Sequence, residues 1–320
     1  MASQLTQIFQ TVDTDIRQAA KCLRDGGLIA FPTETVYGLG ANAIDDTAIA
    51  MIYDAKGRPK FNPLIVHFAS LSELKAHVDW NNAAEDLAQA FWPGPLTLVL
   101  QKNVDSPISP LVSAGLDTLA VRLPAHPLAQ QFLKAAGVPV AAPSANRSGK
   151  MSPTSAAHVH AGLQGRIAGI LDGGDCKVGL ESTILDLSTG SANLLRHGGV
   201  PLEDIEALLG REVGKTQTVP QQIKAPGQLA SHYAPRAKLR LNAADVSTGE
   251  CYLGFGQMEC DLNLSSSGDL IEAAANLFRH LHALDAFYPK PIAVAPIPNT
   301  GLGRAINDRL RRAAAPRPTS

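Results

Sequence analysis

The stretch DAKGRPKFNPLIVHF, residues 54–68, sets three cations, Lys56, Arg58 and Lys60, at alternate positions ahead of an apolar run that carries His67. Gly57 permits a turn, and Pro59 and Pro63 fix φ and bar a helix. The cations are therefore expected on a stiff loop leading into LIVHF, which has strand composition. Fixed cations of this kind suit a polyphosphate; a solvated basic turn is the other interpretation. Thr33, Glu34, Thr35 and Tyr37 crowd hydroxyls and a carboxylate behind Pro32. Such a cluster suits recognition of a small polar ligand, although hydroxyls also satisfy turn amides. Strand alternation through DTLAVRL turns Thr118, Ala120 and Arg122 to one face. An arginine there needs a partner, either a structural carboxylate or a ligand's, and the ligand clamp is favoured. After VPVAA, Pro143 opens into Ser144, Asn146, Arg147 and Ser148, with a helix expected after Ser152-Pro153 and Thr154 or Ser155 near its cap. Small donors at a strand end and a helix N-terminus make an anion site. Neither GxxxxGK[ST] nor a GxGxxG after a strand is present, so the common nucleotide fingerprints fail. No GxSxG elbow or Ser-His-Asp order recruits His197 for hydrolysis.

The elements that must position these groups alternate between helix and strand. A helix is expected over 14–25, with Ile16, Ala19, Ala20 and Leu23 at helical spacing and a stop at Gly26-Gly27, then a buried strand over 28–31. A short helix over 46–53, capped by Asp45 or Asp46, feeds the basic loop, and a strand follows over 65–68. A polar helical stretch over 72–91 ends in WPGP before a strand over 96–100, and Trp92 reads as a core or hinge residue rather than a base-stacking platform. Strands are expected at 117–123 and 138–142. Past Gly210 the hydrophobic period is lost and Pro220, Pro226 and Pro235 punctuate an extended linker. Beyond it, strands at 239–241, 251–254 and 292–295 and helices at 269–284 and 303–314 make a small α/β unit.

At 320 residues, with 45% hydrophobic and 18% charged, the chain should divide into two domains. A net charge of -1 gives no global field toward nucleic acid or membrane, so a polyanion site must be a local cluster. Cys22, Cys176, Cys251 and Cys260 lack CxxC or ligand spacing and read as free thiols, not a disulfide scaffold or zinc site. The N-terminus lacks a basic then apolar leader, and no run of about 18 apolar residues occurs, so a cytoplasmic protein without membrane contact is expected.

KGRP at 56–59 followed by SAN at 144–146 resembles the KxR…SxN signature of the YrdC/Sua5 family, and PTETVYGLG, WPGPLT, GLESTI and LLRHGGV resemble further blocks in the family's order. SHYAP at 231–235 and the closing GLGRAINDRLRRAA resemble the linker and C-terminal part of its longer, two-domain form. The fold this implies is α/β, a YrdC-like twisted open mixed sheet with flanking helices plus a smaller Rossmann-like C-terminal α/β domain. Its parts would be a catalytic domain over 1–212, a linker or lid over 213–236 and a C-terminal domain over 237–320. The activity it implies is a nucleotidyl transfer: L-threonine, bicarbonate and ATP give threonylcarbamoyl-AMP and pyrophosphate. A threonylcarbamoyl transferase complex then modifies adenosine 37 of ANN-decoding tRNAs, with tRNA itself a further partner. Carried onto this sequence, Lys56 and Arg58 are catalytic. Lys56, Arg58, Asn62, Thr118, Ser144, Asn146, Ser152, Arg196, Ser231 and His232 bind ATP, and Thr35, His67, Arg122, Ala142 and Ser182 bind L-threonine. Mg2+ would arrive with ATP and take no protein side chain. The linker would close over the nucleotide, with Ser231 and His232 at phosphate. Two alternatives stay open: a tRNA- or double-stranded-RNA-binding module, which the charge and the lack of an aromatic ladder disfavour, and a carbamoyltransferase like the related hydrogenase maturation proteins, whose zinc-finger cysteines are missing.

Overall fold

The computed structural model describes residues 5–59, 61–215, 225–227 and 231–316. Lys60 and two parts of the expected linker, 216–224 and 228–230, lie outside the described residues, as do the side chain of Lys215 and both chain ends.

The chain opens with β1 (Gln7–Phe9), α1 (Asp13–Arg24) and β2 (Ile29–Phe31). Two-residue alternation around β2 decides the layering: Ile29 and Phe31 join an apolar cluster with Ile16, Leu23 and Phe132, whereas Leu28 and Ala30 join another with Leu39, Ile49 and Leu98. A sheet apolar on both faces must be covered on both. Further strands and the helices that cover them follow in order: β3 (Gly38–Asn42), α2 (Asp46–Lys56), β4 (Ile65–His67), α3 (Leu71–Lys75), α4 (Asn82–Phe91), β5 (Leu96–Gln101), β6 (Thr118–Arg122) and α5 (Pro127–Ala136). Then come β7 (Val140–Ala141), α6 (Ala156–Leu163), β8 (Gly169–Leu171), β9 (Thr183–Asp186), β10 (Asn193–Arg196), α7 (Leu202–Leu209) and β11 (Gly214–Lys215). The strands form an 11-stranded sheet in the order β1-β8-β2-β3-β7-β4-β6-β5-β9-β10-β11, with parallel and antiparallel pairs mixed. This is the twisted mixed sheet that the sequence blocks imply.

A second sheet follows, built from β12 (Leu239–Arg240), β13 (Cys251–Gly254), β14 (Leu262–Asn263) and β15 (Ile292–Val294), with α8 (Leu270–Asp285) before β15 and α9 (Leu302–Ala314) after it. Its order is β12-β15-β13-β14 and every pairing is parallel. The apolar cluster of this unit takes in Val36, Met151 and Leu180 of the first, so the two share a core. Gly179, at φ +71, lies so near α8 that a Cβ there would stand 2.5 Å from the Ala274 carbonyl oxygen. Only glycine admits that approach.

Three expectations change. α2 runs to Lys56 and stops at the left-handed Gly57, φ 60, so Lys56 sits on a helix end and not on the loop. The stretch expected as one helix over 72–91 divides, because Asn81 accepts the Ala84 amide and starts α4 afresh. β1, β3, β8, β9, β10, β11, β14, α5 and α7 went unassigned from the sequence, the strands because runs of two to five residues are too brief for a period to show. All four cysteines are free, and among the described residues no helix is long and apolar enough to cross a membrane.

Candidate functional site

On the central strands, Val66, Leu98, Val121 and Leu185 enter the larger apolar cluster. Their alternates Ile65 and His67, Thr97 and Val99, Ala120 and Arg122, and Ser182 and Ile184 therefore share the opposite face. The register sets His67 beside Arg122 on one side and Val140 on the other. Linker residue Ala225 packs on Ile65, Val99, Ala120, Ile184 and Leu195, roofing that face. Pro226, Gly227, His232 and Tyr233 then close a cavity of about 40 Å³ with Thr33, Thr35, Val36, Arg58, Ile65, His67, Arg122, Ala142, Pro143, Ser144, Glu181, Ser182 and Arg196.

One side of the cavity is small, polar and nearly neutral. Arg122 donates from Nη2 to Glu34 at 2.5 Å and from Nε to the Gly94 carbonyl at 3.2 Å, while the second Glu34 oxygen accepts the Ala125 amide. Arg122 is thus a structural ion-pair member, and it also lines the cavity, with Nη1 uncommitted among the described residues. Burial, with Arg122 as a secondary cause, pushes the His67 imidazolium down to about 3, so the ring is neutral. Its Nδ1 is buried without a partner among the described residues. The Thr33 and Thr35 hydroxyls meet at 2.7 Å, as do those of Thr97 and Ser182.

The other side is cationic. Arg58 curls onto its own loop, donating to the Asn62 and Pro63 carbonyls at 3.3 and 3.0 Å. Burial brings it down to about 10, with Tyr53 and Tyr233 acting upward and Arg196 downward, so it stays charged. Lys56, 1% exposed, lies behind this wall, and Nζ donates to the carbonyls of Ser144 and Asn146. Burial first and Arg58 second push its ammonium well down. Arg196 donates to the Ser182 carbonyl at 3.1 and 2.9 Å and to the Pro226 carbonyl at 3.1 Å, tying the floor to the linker. Crowded buried cations, whose charged forms burial and mutual repulsion disfavour, favour an anion among them.

All five residues expected at L-threonine, Thr35, His67, Arg122, Ala142 and Ser182, line the cavity, and so do Arg58, Ser144, Arg196 and His232 of the ATP set. Lys56, Asn62, Asn146 and Ser152 stand behind the lining; the Asn62 and Asn146 Oδ1 atoms are buried without partners among the described residues. Buried polar atoms are nearly always paired, so these acceptors await a donor. Ser152 is fully buried and its hydroxyl donates to Glu181. Thr118 pairs with Gln101 where β6 begins and does not line the cavity, nor does Ser231. Sequence reasoning missed Glu181 and Tyr233 as lining groups, and Arg309 behind them. The lone carboxylate inside GLESTI was the available signal for the first. Glu34 and Glu181 are both held by arginine, and among the described residues no three His, Cys, Asp or Glu side chains gather as a metal site.

Residues 21–198 match the Sua5/YciO/YrdC family model, described as telomere recombination, and residues 200–315 match one described as threonylcarbamoyl-AMP synthase, C-terminal domain. The chain is 42% identical to threonylcarbamoyl-AMP synthase of Pyrococcus abyssi, across 93% of this chain and 94% of that one. It is 41% identical to the Bacillus subtilis protein of the same name, across 98% and 96%. The crystal structure of P. abyssi Sua5 complexed with L-threonine matches at a TM-score of 0.89 and 40% identity, covering 97% of this chain and 98% of that one.

Proposed function

The chain belongs to the Sua5/YciO/YrdC family in its two-part form, and from that premise we propose that it joins L-threonine, bicarbonate and ATP into threonylcarbamoyl-AMP, releasing pyrophosphate. The observation that carries this is the meeting, in one cavity, of a neutral polar side holding Arg122 with a side of buried cations. On the first side Arg122 would take the threonine carboxylate, while neutral His67, Thr35 and Ser182 hold the amine and hydroxyl. Threonine's nitrogen bonds to the bicarbonate carbon with loss of water, giving a carbamate. A carbamate oxygen then attacks the α-phosphorus, and the bond to the β-phosphate oxygen breaks. No protein nucleophile is required; the chain supplies alignment and positive charge, from Arg58 and Arg196 at the phosphates and from Lys56 through the Ser144 and Asn146 loop it holds in place. Magnesium would arrive as the counter-ion of the nucleotide, since Glu181, which lines the cavity, and Glu34 behind it are both already engaged by arginine.

A cavity of about 40 Å³ is far smaller than the roughly 300–1,000 Å³ of ordinary ligand sites. We therefore assign the linker as a lid that withdraws to admit the substrates and returns to exclude water from a labile acyl phosphate. The units on either side would be the catalytic domain, 1–212, and a supporting domain, 237–320. The product would pass in the cytoplasm to a transferase acting on tRNA. The test is pyrophosphate release by the full chain with ATP: it is expected to need both threonine and bicarbonate, and equal release without threonine overturns the assignment.

A further inference from the structure

Arg309 is the largest side chain essentially out of water, 1% exposed, and it belongs to α9 of the smaller unit. It reaches out of that unit to the larger one and to the linker. Nε donates to Glu181 Oε2 at 2.8 Å, and the guanidinium carbon stands 5.2 Å from the centre of the Tyr233 ring. Nη1 donates to Asp308 at 2.9 Å, and Asp308 also accepts from Arg312 at 3.0 Å. The Arg312 carbonyl in turn accepts the His232 amide at 3.2 Å. Glu181 and Tyr233 both line the cavity, the first next to Ser182 in the floor and the second next to His232 in the roof. Tyr233 holds φ at 62, a left-handed conformation that a non-glycine residue keeps only when its surroundings impose it. The remaining Glu181 oxygen is taken by Ser152. Glu181 is therefore a wall, fixed from both sides.

A buried ion pair adds little stability over apolar side chains of the same volume, whereas losing one partner leaves an uncompensated charge. What such a pair does add is fixed geometry. We propose that Arg309, supplied by the smaller unit, is a positioning residue of the adenylate-forming site, setting Glu181 in the floor and Tyr233 in the roof so that Ser182 and His232 beside them meet the substrates. The identity of those substrates rests on the proposed function; the coupling of α9 to the linker does not.

The test compares Arg309→Met, which keeps length and loses charge, with Arg309→Lys, Glu181→Gln and the double variant Arg309→Met/Glu181→Gln, all in the full chain. Amide exchange at His232 and Ala234, which bond to Arg312 and Gly149, reads the linker without reference to activity. In Arg309→Met it is expected to accelerate at least ~10-fold, with kcat/KM for threonine-dependent pyrophosphate release falling on the order of 10²-fold, the scale of a small misplacement, shared between a raised KM and a lowered kcat. Arg309→Lys should recover part of the loss, whereas adding Glu181→Gln should restore the melting temperature, because no carboxylate is then left unpaired, and leave exchange and KM impaired, because the pair that fixed the geometry is gone. Unchanged exchange and KM in a folded Arg309→Met chain overturn the proposal, and so does a double variant that regains wild-type exchange and KM. Should Arg309→Met not fold, Arg309→Lys carries the same comparison. A wild-type chain inert with threonine would overturn the proposed function, while the exchange data still decide the role of Arg309.

Discussion

At the scale of single residues, the two basic side chains of KGRP do different work. Arg58 holds two carbonyls of its loop with Nε and Nη2 and keeps Nη1 uncommitted among the described residues, whereas Lys56, behind the cavity lining, spends its ammonium on two backbone carbonyls. Removing a preorganised charge from a developing anion costs about 10²–10³ in turnover. Arg58→Ala is expected to lower kcat by about 10² and also to lower the melting temperature, because Nε and Nη2 hold the buried Asn62 and Pro63 carbonyls. Lys56→Met should lower the melting temperature in the same way, since two buried carbonyls lose their donor at about 1–3 kcal/mol each, and should lower kcat less than Arg58→Ala, because Lys56 stands behind the cavity lining. Pyrophosphate kinetics alongside calorimetry separates the two; equal melting temperatures for wild type and Lys56→Met would show that the carbonyls find other partners. The sequence, which placed both cations on one exposed loop, gave them one role.

At the scale of elements, the linker can lie on the sheet because Gly227 has no side chain. Its φ is +86, and a Cβ would stand 2.7 Å from the Tyr233 hydroxyl and 3.0 Å from Arg196 Cδ. Gly227→Val should therefore hold the roof off the floor, while the helices and sheet, which depend on other contacts, keep their melting temperature. The expected result is intact pyrophosphate release per binding event with threonylcarbamoyl-AMP lost to water, read as a fall in the ratio of adenylate to pyrophosphate. A ratio equal to wild type would mean that closure does not protect the product.

At the scale of the whole molecule, acid should loosen the chain, first where its two units meet. His158 of α6 and His282 of α8 stack with centroids 3.9 Å apart, and His282 Nε2 lies 3.2 Å from the Ser152 carbonyl. Burial, then the charge of His282, brings His158 down to about 4; burial also lowers His282, against the Ser152 carbonyl and Asp285. His67 and His232 are held near 3, burial again foremost. In each case the unfolded chain takes up a proton below about 6.5 that the folded chain refuses, so stability is whole above that pH and falls as pH drops toward 4 and then 3. The melting temperature is expected to decline between pH 6.5 and 4, and His158→Phe, which keeps the stack without the charge, should flatten the upper part of that decline. An unchanged slope in His158→Phe would remove the histidine pair from the explanation.

The sequence by itself determined the family's blocks, the alternation of helix and strand, a cap at Asp45 or Asp46 and one at Thr154 or Ser155, of which the structure uses Asp45 and Ser155, and the small residues and cations that come together at the cavity. Those features are local: a cap acts over three residues, and a period or a block shows within a dozen. The tertiary structure alone decided that Lys56 is buried, that Arg122 is already paired with Glu34, and that Ser152 serves Glu181. It alone brought Arg309 to Glu181 across 128 positions. A charge's partner is chosen by which surfaces pack together, and two units sharing one apolar core, with Gly179 pressed against α8, fix that choice through contacts that no periodicity in the chain records.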